Sequence, residues 1–100
     1  MEENKEILLY KVGSDSNEHK VSEAVYRAYL EGKKLEIQAI GGGAINQAIK
    51  GLIGARGKLA VTGKDIAFVM GWRDVANDRK KNPGDPDTIS AVNFRIVELS

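Results

Sequence analysis

Alternation and three-to-four spacing of apolar residues divide this chain into strands and helices in a definite order. Residues 7–12, ILLYKV, read as a first strand, and the polar run Gly13, Ser14, Asp15, Ser16, Asn17 that follows is rich in helix N-caps. Val21, Ala24, Val25, Ala28 and Tyr29 then form the apolar stripe of a helix that Gly32 stops. Leu35, Ile37 and Ala39 alternate with Glu36 and Gln38, the period of a half-buried second strand. Ile45, Ala48, Ile49, Leu52 and Ile53 return to helical spacing, with Gly57 as the expected end and 59–62 as a short extended piece. In 65–72, Ile66, Phe68, Met70 and Trp72 share one face of a third strand. In 88–99, Val92, Phe94 and Ile96 share one face of a fourth. The strand, helix, strand opening predicts parallel neighbours joined by a right-handed crossover. The expectation is an α/β protein of the two-layer α+β sandwich kind, β-α-β-α-β-β, with two helices on one face of a mixed four-stranded sheet and one domain over 1–100.

The transition from second strand to second helix is the most informative segment. Gly41, Gly42 and Gly43 permit positive φ and close backbone approach, and they leave N–H groups at a helix start, where the helix dipole favours anions. The dinucleotide fingerprint fails, because Asn46 stands where its third glycine belongs. The P-loop fails too, because Leu52 lies five residues before Gly57 and Leu59 follows Lys58. A plain tight turn accounts for the triplet equally well. On a helical wheel Asn46, Gln47, Lys50 and Gly54 lie opposite the apolar stripe, which puts amides and a lysine beside the turn. Gly51 and Gly54 each cost roughly 1 kcal/mol relative to alanine, so close approach of a ligand, or of a helix in a dimer, is expected to offset them.

Charge sharpens this picture. The whole chain has 15 Lys and Arg against 14 Asp and Glu, yet residues 37–64 hold Lys50, Arg56, Lys58 and Lys64 and no acid. A second basic group, Arg73, Arg79, Lys80 and Lys81, lies in or beside the long polar connection 74–87, expected to be mobile, as either a solvated loop or a basic arm for phosphates. Asp74, Asp78, Asp85 and Asp87 dilute it. Trp72 at its base continues an apolar face and is expected in the core or a dimer contact rather than as a stacking platform. His19 has no evident partner and is expected at the surface. With no cysteine and one histidine there is no disulfide framework and no His- or Cys-rich metal site, and no metal or cofactor is expected. The charged residues 1–6 and the short apolar run behind them do not make a signal core or a membrane span, which points to a cytoplasmic protein without membrane association. No nucleophile with its base and no paired carboxylates stand out, so an enzyme is not expected.

The segment EIQAIGGGAINQAIKGLIGARG, together with EIL and KV in the first strand and the final FRIVEL, closely resembles the stage V sporulation protein S family. The resemblance covers nearly the whole chain except the connection 74–87. It implies a non-enzymatic regulator of bacterial sporulation or development with an Alba-like fold, working as a homodimer on DNA or RNA. On that comparison the turn Gly41, Gly42, Gly43, the helix face with Asn46, Gln47 and Lys50, and the arm with Arg73, Arg79, Lys80 and Lys81 are the expected nucleic-acid contacts, and the basic run of the second helix adds Arg56 and Lys58 as further expected charge. One departure is Asp15, in a turn where Alba-type proteins carry lysines, since an aspartate there repels phosphate. The alternative is a protein-interaction module that presents the glycine-rich helix face to another polypeptide. A small anionic ligand at the turn is a third possibility.

Overall fold

In the computed structural model the elements follow the order β1 (Ile7–Val12), α1 (Glu18–Leu30), β2 (Lys34–Ala39), α2 (Gly42–Ala60), β3 (Ile66–Ala76) and β4 (Thr88–Glu98). Residues 7–99 are described; the charged residues 1–6 and Ser100 lie outside the described residues. The sheet order is β1-β2-β4-β3, with β1 and β2 parallel and β4 antiparallel to both its neighbours. This is the expected α+β sandwich, with its helices on one face of a mixed sheet.

Register explains the core. Tyr10 and Val12 sit beside Ile37 and Ala39, which face Phe94 and Val92 across the next ladder. One sheet face therefore carries a continuous apolar surface, and Val21, Val25 and Ala28 of α1 with Ala44, Ala48, Leu52 and Ala55 of α2 cover it. Small residues dominate the α2 face, so the helix lies close to the sheet. The helices also lie close to each other. A Cβ on Gly51 would collide with the Val21 side chain, and one on Gly54 would stand 2.7 Å from the Ser22 hydroxyl. These two glycines are thus explained by helix packing within the chain, Gly51 buried and Gly54 exposed at the edge of the contact with α1.

Helix ends follow local chemistry. The Asn17 side chain accepts from the N–H groups of His19 and Lys20 and starts α1. Gly32 and Gly63, both at positive φ, lie just past the two helix ends. The helix α2 runs through Gly57 to Ala60, so the expected extended piece at 59–62 is instead the helix end and the turn after it, with Leu59 buried and Thr62 donating its hydroxyl to the Leu59 carbonyl. Leu59 belongs to the sheet-facing row of α2, and burying it outweighs a glycine that costs only about 1 kcal/mol.

Candidate nucleic-acid interface

Gly41 takes φ of 89° and N-caps α2, and no side chain caps the helix there. The N–H of Ile45 makes the first helical bond, to the Gly41 carbonyl. The N–H groups of Gly42, Gly43 and Ala44 belong to the first turn, which has no intrahelical acceptors to offer them. The three glycines differ in what they do. Gly41 supplies the left-handed conformation, whereas Gly43 lets the preceding loop close in, because a Cβ there would lie 2.9 Å from that of Ser14. Gly42 faces open space.

The loop between β1 and α1 is thereby clamped to the start of α2. Gln47 donates from Nε2 to the Ser16 carbonyl at 2.7 Å, and the Ser16 hydroxyl accepts from the N–H of Gly13. Gln47 is therefore a strut. Asn46 and Lys50, one and two turns into the helix, stay exposed and carry no ion pair among the described residues. The same clamp holds exposed Asp15 beside the turn.

The strands β3 and β4 continue beyond the end of β2, whose last partner is Val92, and form the arm. Its tip is internally bonded: Asn77 donates from Nδ2 to the Pro86 carbonyl, Lys80 pairs with Asp87 at 2.7 Å, and the Asp85 carboxylate accepts from the N–H groups of Lys81 and Asn82. Those two backbone donors hold the Asp85 carboxyl below its ordinary value. A hollow of about 180 Å³ is lined by Val75, Asp78 and Arg79 of the arm and by Lys11, Gly13 and Ile40. The arm thus lies at the glycine-turn end of the molecule.

Lys11 is a cation at this end that the sequence reading did not single out. It sits on β1 opposite Gln38, on the sheet face away from the helices, and has no acidic partner among the described residues. Alternation marks Lys11 as the outward position of β1 nearest the loop, but only the folding of the sheet brings it to the hollow it shares with the arm.

The other predicted cations are engaged elsewhere. Arg56 pairs with Asp65 at 2.9 Å, and each holds the other's charged form: the Asp65 carboxyl is lowered and the Arg56 guanidinium raised. Lys58 pairs with Glu23 at 3.0 Å and lies over the Tyr26 ring, tying α2 to α1. Glu23 also accepts from Arg27, and hydrogen bonds from Arg27 and then Lys58 lower its carboxyl. At 1.5 Å per helical residue, Arg56 and Lys58 lie roughly 20 Å from the glycine turn. Arg73 reaches Glu36 on the open sheet face at 3.2 Å. The structure therefore places the start of α2 at Gly41, Gly42 and Gly43, with Asn46 one turn on, at the same end as the hollow shared by Lys11 and Arg79, while Lys50 lies about 12 Å along α2 and Lys81 in the tip of the arm. It leaves Arg56 and Lys58 at the other, and Arg73 and Lys80 tied into ion pairs.

Trp72 is 78% exposed and so does not join this chain's core, although it shares a face with buried Ile66. Met70 and Ile53 are similarly bare at 63% and 65%. His19 is exposed, as expected. No helix among the described residues is long and apolar enough to cross a membrane.

The fold and this end of it define a small α+β protein of the Alba-like kind, with a surface rather than an enclosed pocket as its candidate site. The family model for Stage V sporulation protein S matches residues 8–98. The chain belongs to the SpoVS family and has a sporulation-associated function.

Proposed function

We propose that this protein is a non-enzymatic, cytoplasmic nucleic-acid-binding regulator that acts as a homodimer. The observation that carries the reading is an uncapped helix start on glycines, with exposed Asn46 one turn on, at the same end as a hollow lined by Lys11 and Arg79, which like Lys50 along α2 and Lys81 on the arm have no ion pair among the described residues. Backbone N–H groups and the Asn46 amide supply directional donors to phosphate oxygens, while the cations supply charge. Asp15 and Asp78 at the same end weaken the field, so binding is moderate and carried by few phosphates.

Exposed apolar surface supports the dimer in this reading. Ile49 and Ile53 on the flank of α2 and Met70 and Trp72 on β3 are exposed apolar residues, and β3 is an edge strand with one backbone edge unpaired. Arg56, on the same flank as Ile49, meets Asp65 just before β3, which orients that flank toward the strand. A dimer through this edge covers the patch and joins two glycine-turn ends into one longer surface.

The test is a fluorescence-anisotropy titration of duplex DNA, single-stranded DNA and structured RNA at low salt. Saturable binding of at least one, weakened by Lys11→Ala with Lys50→Ala and unchanged by Arg56→Ala, is the expected result. No binding to any of the three would leave the protein-interaction alternative in its place.

A further inference from the structure

The end of the sheet opposite the glycine turn opens into a cleft. The β1 to β2 ladder continues down to Ile7 and Lys34, and the β3 to β4 ladder continues to Ile66 and Glu98. Between these two pairs, however, the β2 to β4 ladder stops at Glu36 and Arg95. Lys34 and Leu35 on one side, and Ile96 and Val97 on the other, have no partner across the gap. The resulting cavity, about 650 Å³, has Leu35 and Ile96 in its floor and Ile7 and Leu30 at its margin.

Its charge is predominantly positive once the existing ion pairs are set aside, with Glu98 the one lining carboxylate that no cation matches among the described residues. Glu36 accepts from Arg73 and from Asn93, at 3.2 and 3.0 Å, and Glu98 accepts from the Tyr29 hydroxyl at 2.7 Å. Lys33 is matched by Glu31 at 2.8 Å. Lys34, Lys64 and Arg95 line the cavity with no acidic partner among the described residues.

From this we infer that the cleft is a docking site for an extended acidic peptide of a partner protein. Two diverging strands offer main-chain groups to a third strand between them, the apolar floor takes alternate side chains, and Lys34, Lys64 and Arg95 meet the carboxylates. A polyphosphate would use the cations but leave the floor bare. The site is separated from the glycine turn by the length of β2, roughly 20 Å for an extended strand, so both ends can be occupied at once.

The test uses a fluorescein-labelled peptide of alternating glutamate and leucine, with a lysine and leucine peptide as control. Saturable binding of the acidic peptide, backbone amide shifts centred on Leu35 and Ile96, and weakening of about tenfold or more in Lys34→Glu with Arg95→Glu are expected. Lys64→Glu, in a loop where folding is not at stake, should also weaken binding. Absence of saturable binding, equal binding of the basic peptide, indifference to these charge reversals, or amide shifts centred on the glycine turn would each overturn the assignment. So would loss of self-association in Lys34→Glu, because the cleft would then belong to a second copy of the chain.

Discussion

At the scale of single residues, the glycines of α2 carry opposite meanings that a sequence cannot separate. Gly51 is buried against α1, and a Cβ there meets Val21 and the Glu18 carbonyl, whereas Gly57 is exposed with nothing within 4 Å. Gly51→Ala is therefore expected to destabilise the fold by about 1–3 kcal/mol through overpacking, despite the helix-propensity gain. Gly57→Ala should raise stability by roughly 0.5–1 kcal/mol, since it adds only propensity. Thermal unfolding of the two variants checks the contrast. For a domain of this size each kcal/mol moves Tm by about 4–8 °C. Equal shifts would mean that the helix contact is not as close as described. The glycine turn divides in the same way: Gly41 serves backbone geometry, Gly43 serves the Ser14 contact, and Gly42 alone is free of both.

At the scale of elements, the arm is held by an acid whose titration has a definite sign. Backbone N–H groups of Lys81 and Asn82 favour the charged form of Asp85, so its folded pKa lies below the unfolded one. The stabilisation is present above the ordinary aspartate range and is lost as pH falls through the lowered folded value. Amide resonances of Lys81 and Asn82 should shift together on acidification, while Asp85→Ala should shift them at neutral pH and abolish that titration. Amides insensitive to both changes would mean that the turn does not depend on this carboxylate. Element order and the core faces were legible because strand alternation and helix spacing each buried one side: Ile37 and Phe94, or Val21 and Val25, could face nowhere else. The end of α2 was not, since burial of Leu59 overrides the stop signal at Gly57. Nor was the state of the basic residues. Arg56, Lys58, Arg73 and Lys80 read as free cations, but their partners Asp65, Glu23, Glu36 and Asp87 become neighbours, in most cases, only after folding. Lys11 gained its place through strand pairing, which periodicity does not reveal.

At the scale of the whole molecule, the two ends of the sheet differ in chemistry. The glycine-turn end offers backbone donors and spaced cations, the opposite end a cationic cleft with an apolar floor, and the β3 edge an exposed apolar patch between them. The dimer proposed through that edge can be read directly, because Trp72 is the chain's one tryptophan. Its emission should move to longer wavelength on dilution, in step with halving of mass in sedimentation. Ile53→Glu should leave the monomer folded with Trp72 in water. Emission independent of both concentration and this substitution would contradict a dimer at that edge. The central claim, phosphate recognition at the glycine-turn end, is tested most directly by the salt dependence of nucleic-acid affinity in matched variants. For B-DNA the logarithm of affinity falls by about 0.9 per neutralised phosphate per log unit of salt. Lys50→Ala and Arg79→Ala should each flatten that slope by about this amount, and Lys58→Ala should leave it unchanged. A slope unaffected by Lys50 and Arg79 but flattened by Lys58 would place binding elsewhere and contradict the account.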